Sequence, residues 1–280
     1  MKKIIVTAAV CACIALTNVN AQELKMPQPS STQSVSQDFG LGSISVIYSR
    51  PNVKGRKIFG ELVPFGKVWR TGANAATVIT FSEEVKINGE TIPAGKYALF
   101  SIPAEKEWTV ILNKNTEQWG AYTYKESDEF KRFKVQAQQI NSAVETFTIQ
   151  FTNVFPTSAQ LELVWDKTLI PLKLTTEVDS KVMTGIDEAM KGEKKPYFQA
   201  AQYYFANGKD LKKTLEWMNA AEAADPKAPW VKAMKARVQL KMGDKKGAAA
   251  TAEAGIKAAK VMNNEEYVGI NTQLLTDAKK

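Results

Sequence analysis

The feature that most constrains the fold of this 280-residue chain is a change in hydrophobic periodicity near Glu177. Before that point, short segments alternate apolar and polar residues with a period of two, which is typical of half-buried strands. After it, apolar residues recur with a period near 3.6, which indicates amphipathic helices. We therefore predict a β domain over residues 37–177 and a helical domain over residues 178–280, at a length that suits two domains.

The β region contains at least seven alternating segments that are separated by turn residues, and no long helix interrupts them. They read SISVIYS, ATVITF, VKING with ETI, KYALFSI, WTVILN, TFTIQF, AQLELVW and TLIPLKL. Asn88-Gly89 predicts a tight hairpin, and Asp166-Lys167 predicts the turn between the last two strands. This pattern favours an antiparallel β-sandwich of jelly-roll or immunoglobulin-like type. Its sheets are expected to pack through Val46, Val78, Leu99, Val110, Ile149 and Leu163.

Two stretches do not follow the alternating pattern. Residues 22–36 are polar, contain two prolines and show no periodicity, so we predict a flexible lead-in. The segment from Asn113 to Asn141 is too long for a simple hairpin loop. Within it, KESDEFKRF predicts a short surface helix, and a lid or flap is the alternative.

The helical region predicts six helices at about residues 179–191, 196–206, 210–224, 229–242, 245–262 and 265–279. Two segments within it align at an offset of 35 residues, which places Ala201 on Ala236, Gly208 on Gly243 and Ala224 on Ala259. This unit resembles a tetratricopeptide repeat, whose period is about 34 residues. A stack of such helical hairpins presents a concave face that can dock a protein or peptide partner.

The N-terminus has the pattern of a secretory signal peptide. Lys2 and Lys3 precede an apolar run from Ile4 to Leu16, and small residues follow at Val19 and Ala21. We predict cleavage after Ala21 and a periplasmic or secreted location. The run is shorter than the roughly 20 apolar residues that a membrane-spanning helix needs, and no later run is longer, so no transmembrane segment is predicted.

Both cysteines of the chain, Cys11 and Cys13, lie inside the predicted signal peptide, and the chain has no histidine. Lipoprotein attachment through one of these cysteines is the alternative to cleavage after Ala21. With cleavage after Ala21, the mature chain has no disulfide, no zinc site built on Cys or His, and no nucleophile activated by imidazole. The sequence also lacks calcium-loop, phosphate-loop and dinucleotide motifs, so we predict neither a metal nor a cofactor.

The formal net charge of +8 falls to +6 without Lys2 and Lys3, and the remaining lysines are widely spread. No nucleic-acid-binding signature is present, so nucleic acid is not a predicted partner. The arginines are distributed differently, because Arg50, Arg56 and Arg70 fall within one short span. This clustering predicts an anion-facing patch, with carbonyl capping as the alternative.

The most chemically suggestive stretch is FGKVWRTGANAAT, residues 65–77, which places Trp69 beside Arg70. An indole next to a guanidinium can bind a carboxylate, a phosphate or a sugar face. The alternative is structural, with Trp69 plugging the core and Arg70 acting as an internal hydrogen-bond donor. The predicted ligand-binding residues are Tyr48, Arg50, Arg56, Trp69, Arg70 and Asn74. The predicted ligand is a carbohydrate or an anionic small molecule.

Three segments of the β region together resemble a known family. They read YSRPNVKGRKIFGELVPFGKVWRTGANAAT, INGETIPAGKYALFSIP and EWTVILN, and the resemblance covers about residues 36–177. The family is the secreted bacterial domain of unknown function numbered 2911. The resemblance implies an exported all-β domain, and it carries over neither an activity nor a catalytic residue.

Two functional hypotheses follow. The first is a non-catalytic exported binding or scaffold protein, with a ligand on the β domain and a protein partner on the helical repeats. The alternative is a carboxylate-dependent hydrolase such as a glycosidase, which needs two suitably spaced acids. The acids available for it are Glu61, Glu83, Glu84, Glu90, Asp128, Glu129 and Asp166.

Overall fold

The computed structural model describes residues 26–280, so the predicted signal peptide and its cleavage after Ala21 lie outside the described residues. The chain divides into two compact units between Thr176 and Glu177, one residue before the predicted boundary. An antiparallel β-rich unit is followed by a unit that contains, among the described residues, six helices. The switch in periodicity near Glu177 therefore marks a real change of structure.

Two antiparallel sheets make up the β unit. The strands are β1 (Ser31–Phe39), β2 (Gly42–Arg50), β3 (Ala73–Phe81), β4 (Val85–Ile87), β5 (Glu90–Ile92), β6 (Gly95–Ile102), β7 (Glu107–Asn113), β8 (Glu129–Gln136), β9 (Gln138–Phe155) and β10 (Ser158–Thr175). One sheet has the order β1-β2-β3-β6-β7-β8, and the other has the order β5-β4-β10-β9. Apolar side chains of both sheets form one shared hydrophobic core, to which Val46 and Leu99 contribute from one sheet and Ile149 and Leu163 from the other.

The predicted core is correct except at Val78. Val78 is partly exposed, whereas its neighbour Ile79 is fully buried in the core. Successive side chains of a strand point to opposite faces, so a core position at Ile79 excludes Val78. Thr77, Ile79 and Phe81 share the inner face of β3, and this face carries the larger apolar side chains.

The predicted lead-in, residues 22–36, is wrong over residues 31–36, because these residues belong to β1. The strand pairs with β2 from Ser31↔Arg50 to Phe39↔Gly42 without a register shift. Its inward positions alternate between Gln and apolar residues, as Gln33, Val35, Gln37 and Phe39, so the apolar pattern is weak in the sequence. Val35 and Phe39 still pack against the core, and the hydrogen bonds to β2 hold the polar remainder.

The predicted surface helix in KESDEFKRF is also wrong. Only a single 3₁₀ turn forms, at Glu126–Asp128, and β8 follows it directly. Phe130 and Phe133 are three residues apart, which imitates a helical spacing. The register of β8 against β7 instead buries Phe133 and Val135, two residues apart, which is the period of a strand.

The predicted turn at Asp166-Lys167 is a bulge inside one strand. β10 runs for 18 residues through this point, and its register against β9 shifts on both sides of Asp166. Asp166 has φ +50°, a conformation that Asp tolerates better than most residues. The hairpin predicted at Asn88-Gly89 is confirmed, since these two residues connect β4 to β5 with φ values of +50° and +90°.

The helices of the second unit match their predicted bounds within two residues. They are α1 (Asp179–Ala189), α2 (Tyr197–Ala206), α3 (Leu211–Ala224), α4 (Pro229–Lys241), α5 (Lys245–Val261) and α6 (Glu265–Lys279). Asp210, Asp244 and Asn264 cap α3, α5 and α6 by accepting hydrogen bonds from backbone N–H groups. None of the helices within residues 26–280 is long and apolar enough to cross a membrane.

A partly buried ion-pair cluster links α3 to α4. The Glu222 carboxylate lies 2.7 Å from the Nζ atom of Lys235 and 3.0 Å from the Nζ atom of Lys232. Lys232 is buried. Burial alone would raise the pKa of Glu222, but the hydrogen bonds and charges of Lys235 and Lys232 outweigh it and lower the pKa. The carboxylate therefore stabilises this unit in its ionised form.

Candidate functional site

An aromatic cluster in the shared core holds Trp69 in place. Its members are Phe59, Trp69, Trp108, Phe147 and Trp165. Trp69 stacks on Trp165 with ring centroids 5.8 Å apart and 17° between the planes, and it meets the other three rings edge-on. The side chain is 8% exposed, so its main role is to pack the core between the two sheets.

The main chain around Arg70 is fixed by hydrogen bonds from neighbouring strands. Trp69 exchanges two backbone hydrogen bonds with Ser101, at 2.7 and 2.8 Å. The backbone N–H of Thr77 donates to the carbonyl of Arg70 at 3.2 Å, and the Thr77 hydroxyl donates to the carbonyl of Thr71 at 2.6 Å. These bonds come from β3 and β6, so the Arg70 side chain projects from a rigid support.

Four of the six predicted binding residues line one pocket of about 330 Å³, and we call it the arginine pocket. These four are Arg56, Trp69, Arg70 and Asn74. The other lining residues are Ser30, Pro51, Leu62, Val63, Gly72, Ala73 and Trp165. The lining residues thus include two arginines and neither Asp nor Glu.

The two guanidinium groups differ in how they are held. Arg56 donates from Nε to the carbonyl of Val53 at 3.0 Å and from Nη2 to the carbonyl of Asn52. Arg70 has a buried Nε that lacks a hydrogen-bond partner. Within residues 26–280, neither arginine forms an ion pair with a carboxylate. The positive charge of the pocket is therefore left without an internal counter-charge.

Asn74 joins the pocket to a neighbouring loop. Its backbone is in the left-handed region, with φ +57°. Its side-chain amide donates to the carbonyl of Ser30 and to the hydroxyl of Ser49, both at 3.3 Å. The backbone carbonyl of Asn74 accepts a hydrogen bond from the backbone N–H of Gly120 at 3.0 Å. These contacts fix the amide at the wall of the pocket.

Tyr48 and Arg50, the other two predicted residues, do not line the arginine pocket. The Tyr48 side chain is 2% exposed, and its hydroxyl accepts from the N–H of Ile149 at 2.8 Å and donates to Gln33 at 2.7 Å. Burial raises the pKa of Tyr48. Arg50 donates from Nε to the carbonyl of Phe147 at 3.0 Å. Both side chains thus bind β2 of one sheet to β9 of the other.

The acids considered for a hydrolase do not meet at the arginine pocket. Glu61 pairs with Lys57 at 3.2 Å, Glu90 pairs with Lys131 at 2.6 Å, and Glu129 pairs with Arg132. The hydrogen bonds that Arg132 donates to Glu129 raise the pKa of Arg132. Asp166 lines a different pocket, of about 260 Å³, together with Glu105 and two lysines. Residues 26–280 contain no group of three or more His, Cys, Asp or Glu that could hold a metal ion.

The sequence did not identify the far side of the arginine pocket. Ser30 precedes β1, and Trp165 lies in β10, so the pocket wall combines residues separated by most of the β unit. Trp165 belongs to an alternating segment that reads as ordinary core, and nothing in its neighbours distinguishes it. Only the packing of the two sheets against each other brings Trp165 beside Trp69.

Residues 30–174 match a family model whose description is "Protein of unknown function (DUF2911)". The match spans β1 to β9 and nearly all of β10, and it includes every residue that lines the arginine pocket. No curated protein and no solved structure matches the chain. The match covers slightly more than half of the 280 residues. The chain therefore belongs to the DUF2911 family of proteins of unknown function.

Proposed function

We propose that this protein is an exported, non-catalytic binding protein whose β unit holds an anionic small molecule in the arginine pocket. The observation that carries the proposal is the Arg70 guanidinium, whose Nε is buried at the pocket wall without a hydrogen-bond partner. Leaving a buried charged donor unsatisfied costs more than about 1–3 kcal/mol. A carboxylate or phosphate in the pocket would form charge-assisted hydrogen bonds with the guanidinium group of Arg70.

The dimensions of the pocket favour a small ligand. A volume of about 330 Å³ lies at the lower end of the roughly 300–1,000 Å³ that is usual for small-molecule sites. The Asn74 amide adds a polar group to the wall. The Trp69 ring is packed among four other aromatic rings, so it offers little free face for stacking. Charge recognition by arginine is therefore the main source of affinity in this proposal.

Export rests on the predicted signal peptide, residues 1–21, and implies a periplasmic or secreted location, with lipoprotein attachment as the less favoured route. For the β unit we propose a sandwich of jelly-roll or immunoglobulin-like type, which is consistent with two antiparallel sheets around one core.

For the helical unit we propose tetratricopeptide-like hairpins that dock a protein partner. Two equivalences support the repeat. Ala201 and Ala236 are both fully buried, and Gly208 and Gly243 both have left-handed backbones, with φ +64° and +83°. A small buried residue and a left-handed turn recur at the same offset, as stacked hairpins require. Nucleic acid is not a proposed partner.

The alternative function, a carboxylate-dependent hydrolase, has weaker support. Its one favourable observation is that Glu105 and Asp166 line the same pocket of about 260 Å³. Replacing both acids by their amides would abolish any turnover of glycosides or esters by the full chain if these groups carry it. Turnover that survives both replacements would exclude this pair.

The binding proposal can be tested by calorimetric titration of the full mature chain with succinate, inorganic phosphate and glucuronate. We expect Arg70→Gln to weaken the binding of these anions by about tenfold or more, because the pocket loses its unpaired cation. Arg237→Gln is the matched control, since Arg237 is exposed in α4 and loses the same charge. Equal affinities of the Arg70→Gln variant and the unsubstituted protein would refute the proposal.

A further inference from the structure

The loop between β7 and β8 presents two large aromatic side chains to solvent. Trp119 is 67% exposed and Tyr122 is 84% exposed. Burying a large apolar side chain contributes about 1.5–3 kcal/mol, so leaving two of them exposed in one loop forgoes substantial stability. Exposed aromatic side chains that are held in place are typical of binding surfaces.

Trp119 is held on both sides by backbone hydrogen bonds to β3. The N–H of Ala76 donates to the carbonyl of Gln118 at 2.9 Å, and the N–H of Gly120 donates to the carbonyl of Asn74 at 3.0 Å. The Gln118 side chain is buried and donates to the carbonyl of Asn115 at 2.7 Å. The indole therefore projects from a segment that is anchored to the sheet.

Tyr122 is positioned by Gly120. This glycine has φ +72°, and a Cβ atom added to it would lie 2.7 Å from the Tyr122 ring. The ring thus lies close to Gly120, and most of it remains exposed. Ala121 and Tyr124 instead pack against a buried cluster that contains Phe100, with the Tyr124 and Phe100 ring centroids 5.0 Å apart.

Asn74 connects this aromatic pair to the arginine pocket. Its side chain lines the pocket, while its carbonyl accepts the hydrogen bond from Gly120, the residue after Trp119. Asn115 and Glu117, which precede Trp119 in the same loop, are exposed and polar, so this loop also offers hydrogen-bonding groups. The loop that carries the two exposed aromatic side chains is therefore hydrogen-bonded to the start of β3, where Asn74 also lines the pocket of the unpaired Arg70.

We propose that the ligand is an anionic sugar. Its ring would stack on Trp119 and Tyr122, and its carboxylate or phosphate would enter the arginine pocket. The C–H faces of a sugar ring match aromatic rings, its hydroxyls match the flanking polar side chains, and its negative charge matches Arg56 and Arg70. The inference deepens the proposed function and rests on it for the anion, whereas the aromatic pair is an independent observation.

The test is a titration of the full mature chain with two sugar anions, glucuronate and glucose 6-phosphate. Succinate and inorganic phosphate serve as matched anions without a sugar ring. We expect Trp119→Ala and Tyr122→Ala each to lower the affinity for the sugar anions by about fivefold to tenfold, because one stacking face is lost. Binding of succinate and phosphate should change less than about twofold, since those anions do not reach the rings.

The outcomes separate the inference from the proposed function. If both aromatic variants bind the sugar anions as tightly as the unsubstituted protein does, or if sugar anions bind no tighter than plain anions, the inference is overturned. Loss of all anion binding in Arg70→Gln would still support the arginine pocket in that case. If Arg70→Gln changes no affinity, both the inference and the proposed function fail. This holds even if Trp119→Ala lowers the affinity for the sugar anions.

Discussion

Replacing Trp69 by alanine should lower the free energy of unfolding of the β unit much more than the other substitutions at the ligand site would. The indole packs against four aromatic rings and is 8% exposed, so its removal leaves a large cavity between the two sheets. Buried Trp→Ala changes cost about 3–5 kcal/mol. The variant also loses the hydrogen bond from the indole N–H to the Gly72 carbonyl, at 2.9 Å. We expect a loss of about 4 kcal/mol, a large share of the 5–15 kcal/mol that is typical of a whole protein.

The measurement is guanidinium-chloride unfolding of the full mature chain. Hydrogen exchange in peptides from β3 and β10 assigns the transition to the β unit rather than to the helices. Trp119→Ala is a matched control, because it deletes the same side chain from an exposed position in the same unit. We expect the control to change the unfolding free energy by less than about 0.5 kcal/mol.

The reasoning would be refuted if Trp69→Ala and Trp119→Ala destabilised the β unit equally, or if Trp69→Ala cost less than about 1 kcal/mol. The prediction also decides which mutation can test binding. Trp69 is one of the residues that the sequence predicts to bind the ligand, so Trp69→Ala would be an obvious variant for a binding test. Its packing now indicates that lost binding in this variant would report unfolding, so Arg70→Gln is the informative change.

Further predictions concern the helical unit. Because the pKa of Glu222 is lowered below its ordinary value of 4.5, its stabilisation is present above that value and is lost as the pH falls through the lowered pKa. Glu222→Gln should remove this acid sensitivity. It should also lower the free energy of unfolding by about 2–3 kcal/mol at neutral pH, because the buried Lys232 loses its ion pair with Glu222. Urea unfolding at pH 7 and pH 3 measures both effects. Gly255→Ala should destabilise the unit by about 1–3 kcal/mol, because its Cβ would lie 2.1 Å from Oδ1 of Asn271. Gly269→Ala, where a Cβ meets nothing within 4 Å, should instead stabilise it by about 0.5–1 kcal/mol, and equal melting temperatures for the two variants would contradict this packing.

The anionic-sugar and arginine-pocket proposals depend on loops whose shape no local pattern encodes. The sequence drew attention to Trp69 and Arg70 together, yet the two side chains have different environments. Trp69 fills the core, whereas the Nε of Arg70 is left without a partner beside the pocket. Neighbours in sequence on a strand-like segment face opposite ways, so adjacency alone could not separate a packing role from a binding role.

Errors in the predicted β unit arose where pairing overrode local pattern. β1 forms because β2 offers a full set of backbone partners, although the sequence of β1 is mostly polar. β10 continues through Asp166 because a bulge absorbs the residue that looked like a turn. Both outcomes depend on a strand distant in sequence, which a local reading does not include.

Local sequence patterns were enough to predict the order of the two units, the bounds of the six described helices to within two residues, and the hairpin at Asn88-Gly89. These features follow from short-range physics, since helical periodicity, capping residues and left-handed turns are encoded within a few residues of one another. The fold was needed to show which face of β3 is buried, and that Arg56, Arg70 and Asn74 share a pocket with Trp165. Such contacts depend on how two sheets pack together, and the side chains that meet there are separated by most of the β unit.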